Sequence, residues 1–318
     1  MTTSTLQPTL IEPQDRQQAL LTLLQPGSNR KHAGRFEAFA AEQRIGLDLL
    51  WGLRSESGTI ESCVLCVPAA GRTAMLFASP VIQGEHVAAR ARLISHALDA
   101  LVAEDIDLAQ ALLPCEDTLG AAAHLEGGFH FLAELVYMEL SPPRAGHATP
   151  LPSGVELVPI TTAELPELAT VLEASYIDTL DCPELSGLRH IEDIIEGHGA
   201  IGTVEPGGWT LLRVDGEFSG AILVNRASDD QGHELVYLGL SPQVRGNGYG
   251  RLLLHHALRR ITDARSRRLT LAVDSRNTPA ISLYSSTGFR RTTRRQAFIR
   301  SVTGASAGKT SCPPSVDN

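Results

Sequence analysis

The sequence predicts an α/β protein with two similar domains, each a mixed α+β fold around a central sheet. Its 318 residues are enough for two domains, and 43% hydrophobic with 20% charged residues is typical of a folded globular protein. Short apolar strands alternate with amphipathic helical segments along the chain. The order of these elements in residues 1–142 is repeated in residues 154–302, which predicts two domains of the same architecture.

The second half shows the repeated elements most clearly. Its order is strand, strand, strand, helix, strand, helix, strand, at 209–214, 221–225, 234–240, about 250–265, 269–273, from about 279, and 296–300. The first half gives the same order at 51–54, 63–67, 74–79, 87–103, 108–113, 118–125 and 132–140. Ser79-Pro80 corresponds to Ser241-Pro242, and Gly128-Phe129 corresponds to Gly288-Phe289.

A glycine-rich turn joins the third strand of the second half to the following helix. Gly246, Gly248 and Gly250 allow a tight turn and bring bare backbone N–H groups close to a ligand, where the helix dipole favours an anion. Arg245 adds a fixed positive charge. A dinucleotide-binding fingerprint read from Gly246 would need glycine where Arg251 stands, so that interpretation fails.

The sequence Gly308-Lys309-Thr310 is a second phosphate-loop candidate. The glycine before it, Gly304, is one residue too close, and no helical pattern follows. Residues 303–318 have no apolar pattern, and we expect a disordered tail. The proline-rich segment 143–153 is predicted to be an extended linker between the two domains.

Two motifs of the second half resemble a known family. The spacing Arg-x-x-Gly-x-Gly at 245–250 resembles the acyl-coenzyme A pyrophosphate loop of the GNAT superfamily of N-acetyltransferases. The family's Asn-x-x-Ala-x-x-Leu-Tyr-x-x-x-Gly-Phe motif is matched downstream by Asn277, Ala280, Leu283, Tyr284, Gly288 and Phe289. The resemblance extends from Gly154 to Arg300. It implies two tandem GNAT-like acyl-CoA N-acyltransferase domains, with acetyl-CoA as the acyl donor and no metal.

The resemblance also implies roles for individual residues. Residues of the third strand, the turn and the next helix start would bind the coenzyme: Leu238, Leu240, Arg245, Gly246, Asn247, Gly248, Tyr249, Gly250 and Asn277. Tyr284 matches the tyrosine that points its hydroxyl at the coenzyme sulfur and can protonate the departing thiolate. Glu234 resembles the catalytic glutamate of histone-acetylating members, which implies a general base. A solvated charge at a strand end is the alternative interpretation of Glu234.

The segment 175–190 lies where members of the family bind their acceptors. We expect its polar residues to line the acceptor pocket: Tyr176, Asp178, Asp181, Glu184 and Arg189. The acidic groups would suit a cationic amine, although they could instead cap and solvate two short helices. Cys182 has no base beside it in sequence, which disfavours a covalent acyl-cysteine route.

The first half lacks the residues that would bind a pyrophosphate. It has Gly84 and Glu85 where the second half has three glycines and Arg245, and Asp117 stands opposite Asn277. We therefore expect a degenerate, non-catalytic GNAT-like domain over residues 1–142, which covers the substrate cleft of a catalytic domain over 154–302. This layout is similar in organisation to that of the mycothiol synthases.

Composition excludes several classes of function. A net charge of −9 argues against nucleic acid or an anionic membrane as a partner, although thirteen arginines against two acidic residues between 245 and 300 suit a phosphorylated coenzyme. The sequence begins without a leader pattern and has no membrane-length apolar run, so we expect a cytoplasmic protein. Cys63 and Cys66 lie on a predicted strand and point to opposite faces, which disfavours a zinc or redox site.

These observations predict an acetyl-CoA-dependent N-acetyltransferase that acts directly on a primary amine of a small molecule, as a monomer or homodimer. A protein N-terminal or lysine acetyltransferase is an alternative. A binding module that holds acyl-CoA without turnover is the alternative from another class.

Overall fold

The computed structural model describes residues 7–24, 29–42, 45–141, 150–228 and 232–302. Most of the predicted linker and the predicted tail lie outside these residues. The helices are α1 (Arg16–Leu23), α2 (Arg30–Glu42), α3 (Val87–Ala100), α4 (Thr118–Glu126), α5 (Leu165–Tyr176), α6 (Ile191–Ala200), α7 (Tyr249–Asp263) and α8 (Thr278–Thr287). In the described part of the chain, no helix is long and apolar enough to span a membrane.

Twelve strands form one continuous sheet across the described residues. They are β1 (Thr9–Leu10), β2 (Leu50–Arg54), β3 (Ile60–Ala69), β4 (Thr73–Ala78), β5 (Leu108–Pro114), β6 (His130–Leu140), β7 (Val155–Pro159), β8 (Trp209–Val214), β9 (Glu217–Arg226), β10 (His233–Leu240), β11 (Leu269–Asp274) and β12 (Arg290–Ser301). Their order in the sheet is β1-β2-β3-β4-β5-β12-β6-β11-β10-β9-β8-β7. The mixed α/β architecture with a repeated series of elements is confirmed.

The two halves of the sequence exchange their last strands. The last strand of the second half, β12, pairs antiparallel with β5 and β6, and the last strand of the first half, β6, pairs antiparallel with β11. Phe298 of β12 is 1% exposed in the core of the first half, whereas Met138 of β6 is 1% exposed in the core of the second. Each half therefore completes its sheet and its core with residues of the other.

The sequence-based strands and helices are present with shifted ends. The helix predicted at 87–103 ends at Ala100 and continues as a short 3-10 turn, and the last strand, predicted at 296–300, extends over Arg290–Ser301. Cys63 and Cys66 do point to opposite faces of β3, because each belongs to a different apolar core. Their thiols are buried, and burial raises both pKa values to about 12, which keeps them protonated and unreactive.

A cleft opens in the sheet between β10 and β11. These parallel strands pair only at His233 with Leu269 and at Glu234 with Thr270, after which they diverge. A bulge at Val236 shifts the register of β10 against β9, so that the adjacent residues Val236 and Tyr237 pack on the same side of the sheet, opposite Leu235 and Leu238. Beyond Glu234, the edge of β10 that faces β11 has no strand partner among the residues that the structure describes. The corresponding strands of the first half, β4 and β5, diverge after three pairs.

Candidate functional site

A cavity of about 1320 Å³ lies in the cleft between β10 and β11. One end is formed by the glycine-rich turn, and the other by the segment from Glu173 to His198. The start of α8 lines one side, and Leu108 and Gln110 of β5 add a wall from the first half of the sequence. The cavity thus joins the predicted coenzyme loop to the predicted acceptor segment.

The glycine-rich turn leaves open space in front of the α7 N-terminus. Gly246 and Gly248 have φ values of +79° and +83°, which residues with a Cβ rarely adopt, and no atom lies within 4 Å of a Cβ built at either position. Gly250, the second residue of α7, packs instead, since a Cβ there would lie 3.4 Å from Leu283. An open concave turn at a helix N-terminus is a suitable site for a phosphate group.

Arg245 uses its guanidinium to hold the acceptor segment against the turn. Nε donates to the Leu240 carbonyl at 3.1 Å, and Nη2 donates to the Ser175 and Ile177 carbonyls at 2.8 Å. Nη1 donates to the Asp178 carbonyl at 3.2 Å. The sequence predicted a fixed charge for a phosphate at this position. The charge is at the turn, and its donors fix the end of α5 relative to the end of β10.

Tyr284 lies in α8 with its side chain in the cavity wall. The residue is 7% exposed, and its ring packs against Phe289 at 5.6 Å between centroids. Burial, and then the negative charge of Asp181, raise the pKa of its hydroxyl, so the phenol stays protonated. No hydrogen-bond partner for this hydroxyl is present among the described residues. A protonated, unpartnered hydroxyl in the cavity can donate to a leaving group.

Asn277 connects the start of α8 to the acceptor segment. Its side-chain oxygen accepts a hydrogen bond from the Ala280 backbone N–H at 3.3 Å, so it caps the helix. Its side chain also lies near the Asp181 carboxyl and lowers the pKa of that group. The residue lines the cavity at the position where the sequence predicts a coenzyme contact.

The carboxylates of Asp181, Asp274 and Glu184 form a cluster with the guanidinium of Arg276, and Asp181 is the member that acts on Tyr284. Asp274, at the end of β11, is 0% exposed and accepts hydrogen bonds from Nε and Nη2 of Arg276 and from the Cys182 backbone N–H. Arg276 also binds both oxygens of Glu184, at 2.9 and 3.0 Å. The predicted acceptor ligand Glu184 therefore serves in an ion pair, and it is not among the residues that line the cavity.

Potential metal ligands of Asp181, Cys182 and Asp274 lie within 4.8 Å of one another. Metal binding needs a thiolate or a free carboxylate lone pair. Burial raises the pKa of the Cys182 thiol to about 12, and hydrogen bonds from Arg276 and a backbone amide already occupy the Asp274 carboxylate. The donor set therefore suits an ion-pair cluster better than a metal site.

Aromatic residues lie at the end of the cavity formed by the predicted acceptor segment. The Tyr237 hydroxyl hydrogen-bonds to Ser175 Oγ, and the Tyr237 ring lies 6.1 Å from Tyr176 and 5.5 Å from His198. Burial lowers the pKa of His198 to about 4, so its imidazole is neutral, and Nε2 has no partner among the described residues. A neutral imidazole nitrogen with no partner can bind a polar group of an acceptor.

Arg189 links the predicted acceptor segment to the first half of the sequence. Its Nη2 donates to the Gly71 carbonyl at 2.6 Å and to the Asp193 carbonyl at 2.7 Å. Gly71, with φ +70°, approaches α6 so closely that a Cβ there would lie 1.9 Å from the Asp193 carbonyl oxygen. The first half therefore positions α6 as well as supplying Leu108 and Gln110 to the wall.

Most of the predicted site residues lie together in this cavity. Those that line it are Leu238, Leu240, Arg245, Gly246, Gly248, Gly250, Asn277, Tyr284, Tyr176, Asp178, Asp181 and Arg189. Asn247 and Tyr249 do not line it. Asn247 is exposed and contacts carbonyls of its own turn, and Tyr249 packs against the core of the second half. Sequence reasoning missed Tyr237, His198, Leu108 and Gln110, whose proximity depends on long-range packing.

Glu234 stands apart from the lining residues. It begins the divergence of β10 and β11, paired with Thr270 on one side and Asn225 on the other. Burial raises the pKa of its carboxyl, which favours a proton acceptor near neutral pH. The strand residues that follow it, Leu235 to Leu240, line the cavity, whereas Glu234 does not. Its role as a base stays a prediction.

The corresponding turn of the first half lacks an open glycine nest. Gly84 has no positive φ, and its Cβ would meet only Leu119, at 4.0 Å. In the first turn of α3, Arg90 is 4% exposed and donates hydrogen bonds to the carbonyls of Ser79 and Pro80. Burial lowers the pKa of Arg90 to about 10. The buried Arg90 thus satisfies the backbone carbonyls that follow β4. At the corresponding place, the second half has a turn that is open to the cavity.

Comparisons with known proteins agree with this arrangement. Residues 175–289 match the family described as Acetyltransferase (GNAT) family. A mycothiol acetyltransferase from Acidothermus cellulolyticus is 34% identical over 118 residues, which cover 33% of this chain and 36% of that protein. The chain therefore matches about a third of the length of this relative.

Two solved structures resemble the whole fold. A GCN5-related N-acetyltransferase from Sphaerobacter thermophilus has a TM-score of 0.60 at 13% identity, over 95% of this chain and 97% of that one. A tandem GNAT protein from the clavulanic acid biosynthesis pathway has a TM-score of 0.51 at 17% identity, over 93% and 98%. The chain thus has the fold of a tandem GNAT protein, and its residues 175–289 match the GNAT acetyltransferase family.

Proposed function

We propose that the protein transfers an acetyl group from acetyl-CoA directly to a primary amine of a small molecule. The observation that supports this most strongly is the single cavity that joins the open glycine-rich turn, the free edge of β10 and the Tyr284 hydroxyl. A donor thioester held along β10 would meet an amine entering from the acceptor segment. The related mycothiol acetyltransferase is named for a small molecule, which agrees with this choice.

Different residues of the second half would bind different parts of the donor. The turn at Gly246 and Gly248, with the α7 N-terminus, would receive the coenzyme pyrophosphate. The free edge of β10 from Tyr237 to Leu240 offers backbone N–H and C=O groups to the amide-containing pantetheine arm. Asn277 would contact the coenzyme from the start of α8.

Acetyl transfer then needs two proton movements. The amine nitrogen forms a bond to the thioester carbon, and the carbon–sulfur bond breaks. A carboxylate takes a proton that the nitrogen loses, and the Tyr284 hydroxyl gives a proton to the departing thiolate. The phenol recovers its proton from solvent after product release, so the enzyme returns to its starting state.

A thiol-release assay tests the proposed function. Purified protein is incubated with acetyl-CoA and a panel of polyamines, amino sugars, amino acid derivatives and peptide N-termini, and free coenzyme A is measured. We expect turnover with a small amine. Tight coenzyme binding without turnover on any acceptor would support a binding module instead, and turnover on peptide N-termini alone would contradict the small-molecule acceptor.

Coenzyme binding should depend on the turn of the second half and not on that of the first. The substitution Gly248→Asp adds a carboxylate and a Cβ at φ +83°, where the pyrophosphate must approach bare amides. We expect calorimetry to show at least about 10²-fold weaker acetyl-CoA binding, since charge repulsion and backbone strain act together.

The matched control is Gly84→Asp, which places the same side chain at the turn of the first half. Gly84 has no positive φ and open space around its Cβ, so we expect unchanged affinity and stability. Equal losses of affinity in both variants would show that the first half also binds the coenzyme.

A further inference from the structure

Asp181 lies between the two ends of the cavity, on the acceptor segment after α5. It is flanked by Asp178 and Cys182, which have φ values of +51° and +45°. Non-glycine residues rarely adopt such values, so the surrounding structure must hold this segment in place. Asp181 lines the cavity with Tyr284 and Asn277, and the pKa shifts of these groups show that they interact.

A hydrogen bond fixes the Asp181 carboxylate at the end of β11. Oδ1 accepts the Asp274 backbone N–H at 2.9 Å, and the nearby Asn277 side chain lowers the pKa of the carboxyl. The Cys182 backbone N–H returns a bond to the Asp274 carboxylate at 3.1 Å, which closes a ring between the acceptor segment and the sheet. The carboxylate is therefore oriented without being enclosed, and the residue remains exposed to the cavity.

The charge balance around Asp181 favours a cation. Arg276 pairs with Asp274 and with Glu184. Asp181 has no ion pair of its own within the described part of the chain, so one cation faces three carboxylates. Asp178, on the same segment, also lines the cavity and adds a further carboxylate. An ammonium group that entered the cavity would be attracted to Asp181, the carboxylate of the cluster that is open and unpaired.

The neighbouring groups also favour proton uptake by Asp181. Burial by surrounding protein and the charge of Asp274 raise its pKa, against the opposing effects of Asn277 and Arg276. Cys182, with a pKa of about 12, and Tyr284 both stay protonated, so neither competes as a base. Glu184 is held ionised, because its hydrogen bonds to Arg276 lower its pKa. A carboxylate with a raised pKa is a better proton acceptor than one with the ordinary value.

We infer that Asp181 binds the ammonium group of the acceptor and takes up the first proton that this group loses on the way to acetyl transfer. The inference rests on the proposed function and assigns a catalytic residue to it. The bound ammonium first gives one proton to Asp181, which leaves a neutral amine and later releases this proton to solvent. As the nitrogen–carbon bond forms and the carbon–sulfur bond breaks, the nitrogen loses a second proton to solvent, while Tyr284 supplies a proton to sulfur and regains one from solvent. Asp181 thus acts on the acceptor amine and Tyr284 on the donor sulfur. The negative charge of Asp181 raises the pKa of the Tyr284 hydroxyl.

The test compares Asp181→Asn with Glu234→Gln, the predicted base that does not line the cavity. Both changes replace a carboxylate by an amide of similar size. For the best amine of the panel, kcat/KM is measured from pH 6 to 9, and acetyl-CoA affinity is measured by calorimetry. Glu192→Gln, an exposed acid on α6 outside the cavity lining, controls for loss of a negative charge near the site.

We expect Asp181→Asn to lower kcat/KM about 10²- to 10³-fold near neutral pH, as is typical for loss of a general base. Partial recovery should follow as the pH rises and more amine is already neutral. In the wild-type enzyme, activity should fall as pH decreases through the raised pKa of Asp181, because the protonated acid cannot accept a proton. Coenzyme affinity should be unchanged, and Glu192→Gln should resemble wild type throughout.

Wild-type kcat/KM and pH dependence in Asp181→Asn would overturn the inference, and the same loss in Glu234→Gln alone would assign the base to Glu234. If Asp181→Asn misfolds and therefore loses coenzyme affinity, Asp181→Ser serves as a second variant. It removes the carboxylate without placing an amide opposite Asn277. A wild-type enzyme without turnover on any amine would overturn the proposed function together with this inference. Wild-type turnover that is insensitive to Asp181 would overturn this inference alone.

Discussion

Replacing Phe298 by alanine should destabilise the first half of the protein, although residue 298 lies in the second half of the sequence. The ring is 1% exposed and packs in the core formed by β2 to β5 and α3. It also makes an edge contact with Phe131 at 5.7 Å. Truncation of a buried phenylalanine typically costs about 3–5 kcal/mol, because transfer free energy is lost and a cavity remains. Such a loss is a large part of the total stability of a domain.

Urea unfolding followed by circular dichroism gives the size of this effect, and amide hydrogen exchange gives its location. We expect β2 to β5 to lose protection first, ahead of β8 and β9. The control is Phe39→Ala on α2, the same chemical change at a side chain that is 50% exposed, which should cost little. Loss of protection confined to residues 154–302 would show that β12 stabilises its own half and would contradict the strand exchange.

Local sequence signals predicted the elements but not the partners of the exchanged strands. The strands β6 and β12 both follow a short helix and a Gly-Phe pair, Gly128-Phe129 and Gly288-Phe289. Each strand therefore has the same place in its half of the repeated series, and this place does not identify the sheet edge that the strand joins. The choice between two similar sheet edges depends on side chains far away in sequence, such as the core that receives Phe298, and no short-range signal reports it.

The same distinction applies to the site. The turn is predicted from its glycines and the helix that follows it, and Tyr284 from the resemblance of its motif to the family, and both line the cavity. The hydrogen-bond partners of Arg245 and Glu184 could not be predicted from the sequence. Arg245 binds carbonyls up to 70 residues away, and Glu184 binds Arg276 at a separation of 92 residues. A charged residue in a predicted pocket can equally serve to hold two segments together, and only the folded arrangement distinguishes these roles.

Removing the hydroxyl of Tyr284 should slow the transfer step while leaving the coenzyme site intact. In Tyr284→Phe the ring keeps its packing against Phe289 in the core of the second half, so folding should survive. The proton for the departing thiolate would be lost. We expect kcat to fall about 10²- to 10³-fold, as for loss of a general acid, with acetyl-CoA affinity nearly unchanged.

Steady-state kinetics and calorimetry on Tyr284→Phe test this expectation, with Tyr137→Phe as the control. Tyr137 is a half-buried tyrosine on β6 that does not line the cavity, so its variant should keep wild-type kcat. Because burial raises the pKa of Tyr284 above its ordinary value of 10.0, its proton is present throughout pH 6–9. The loss in Tyr284→Phe should therefore be the same at every pH in this range, unlike the loss in Asp181→Asn, which shrinks as pH rises. A wild-type kcat in Tyr284→Phe would leave water as the proton donor to the thiolate and would remove this tyrosine from the mechanism.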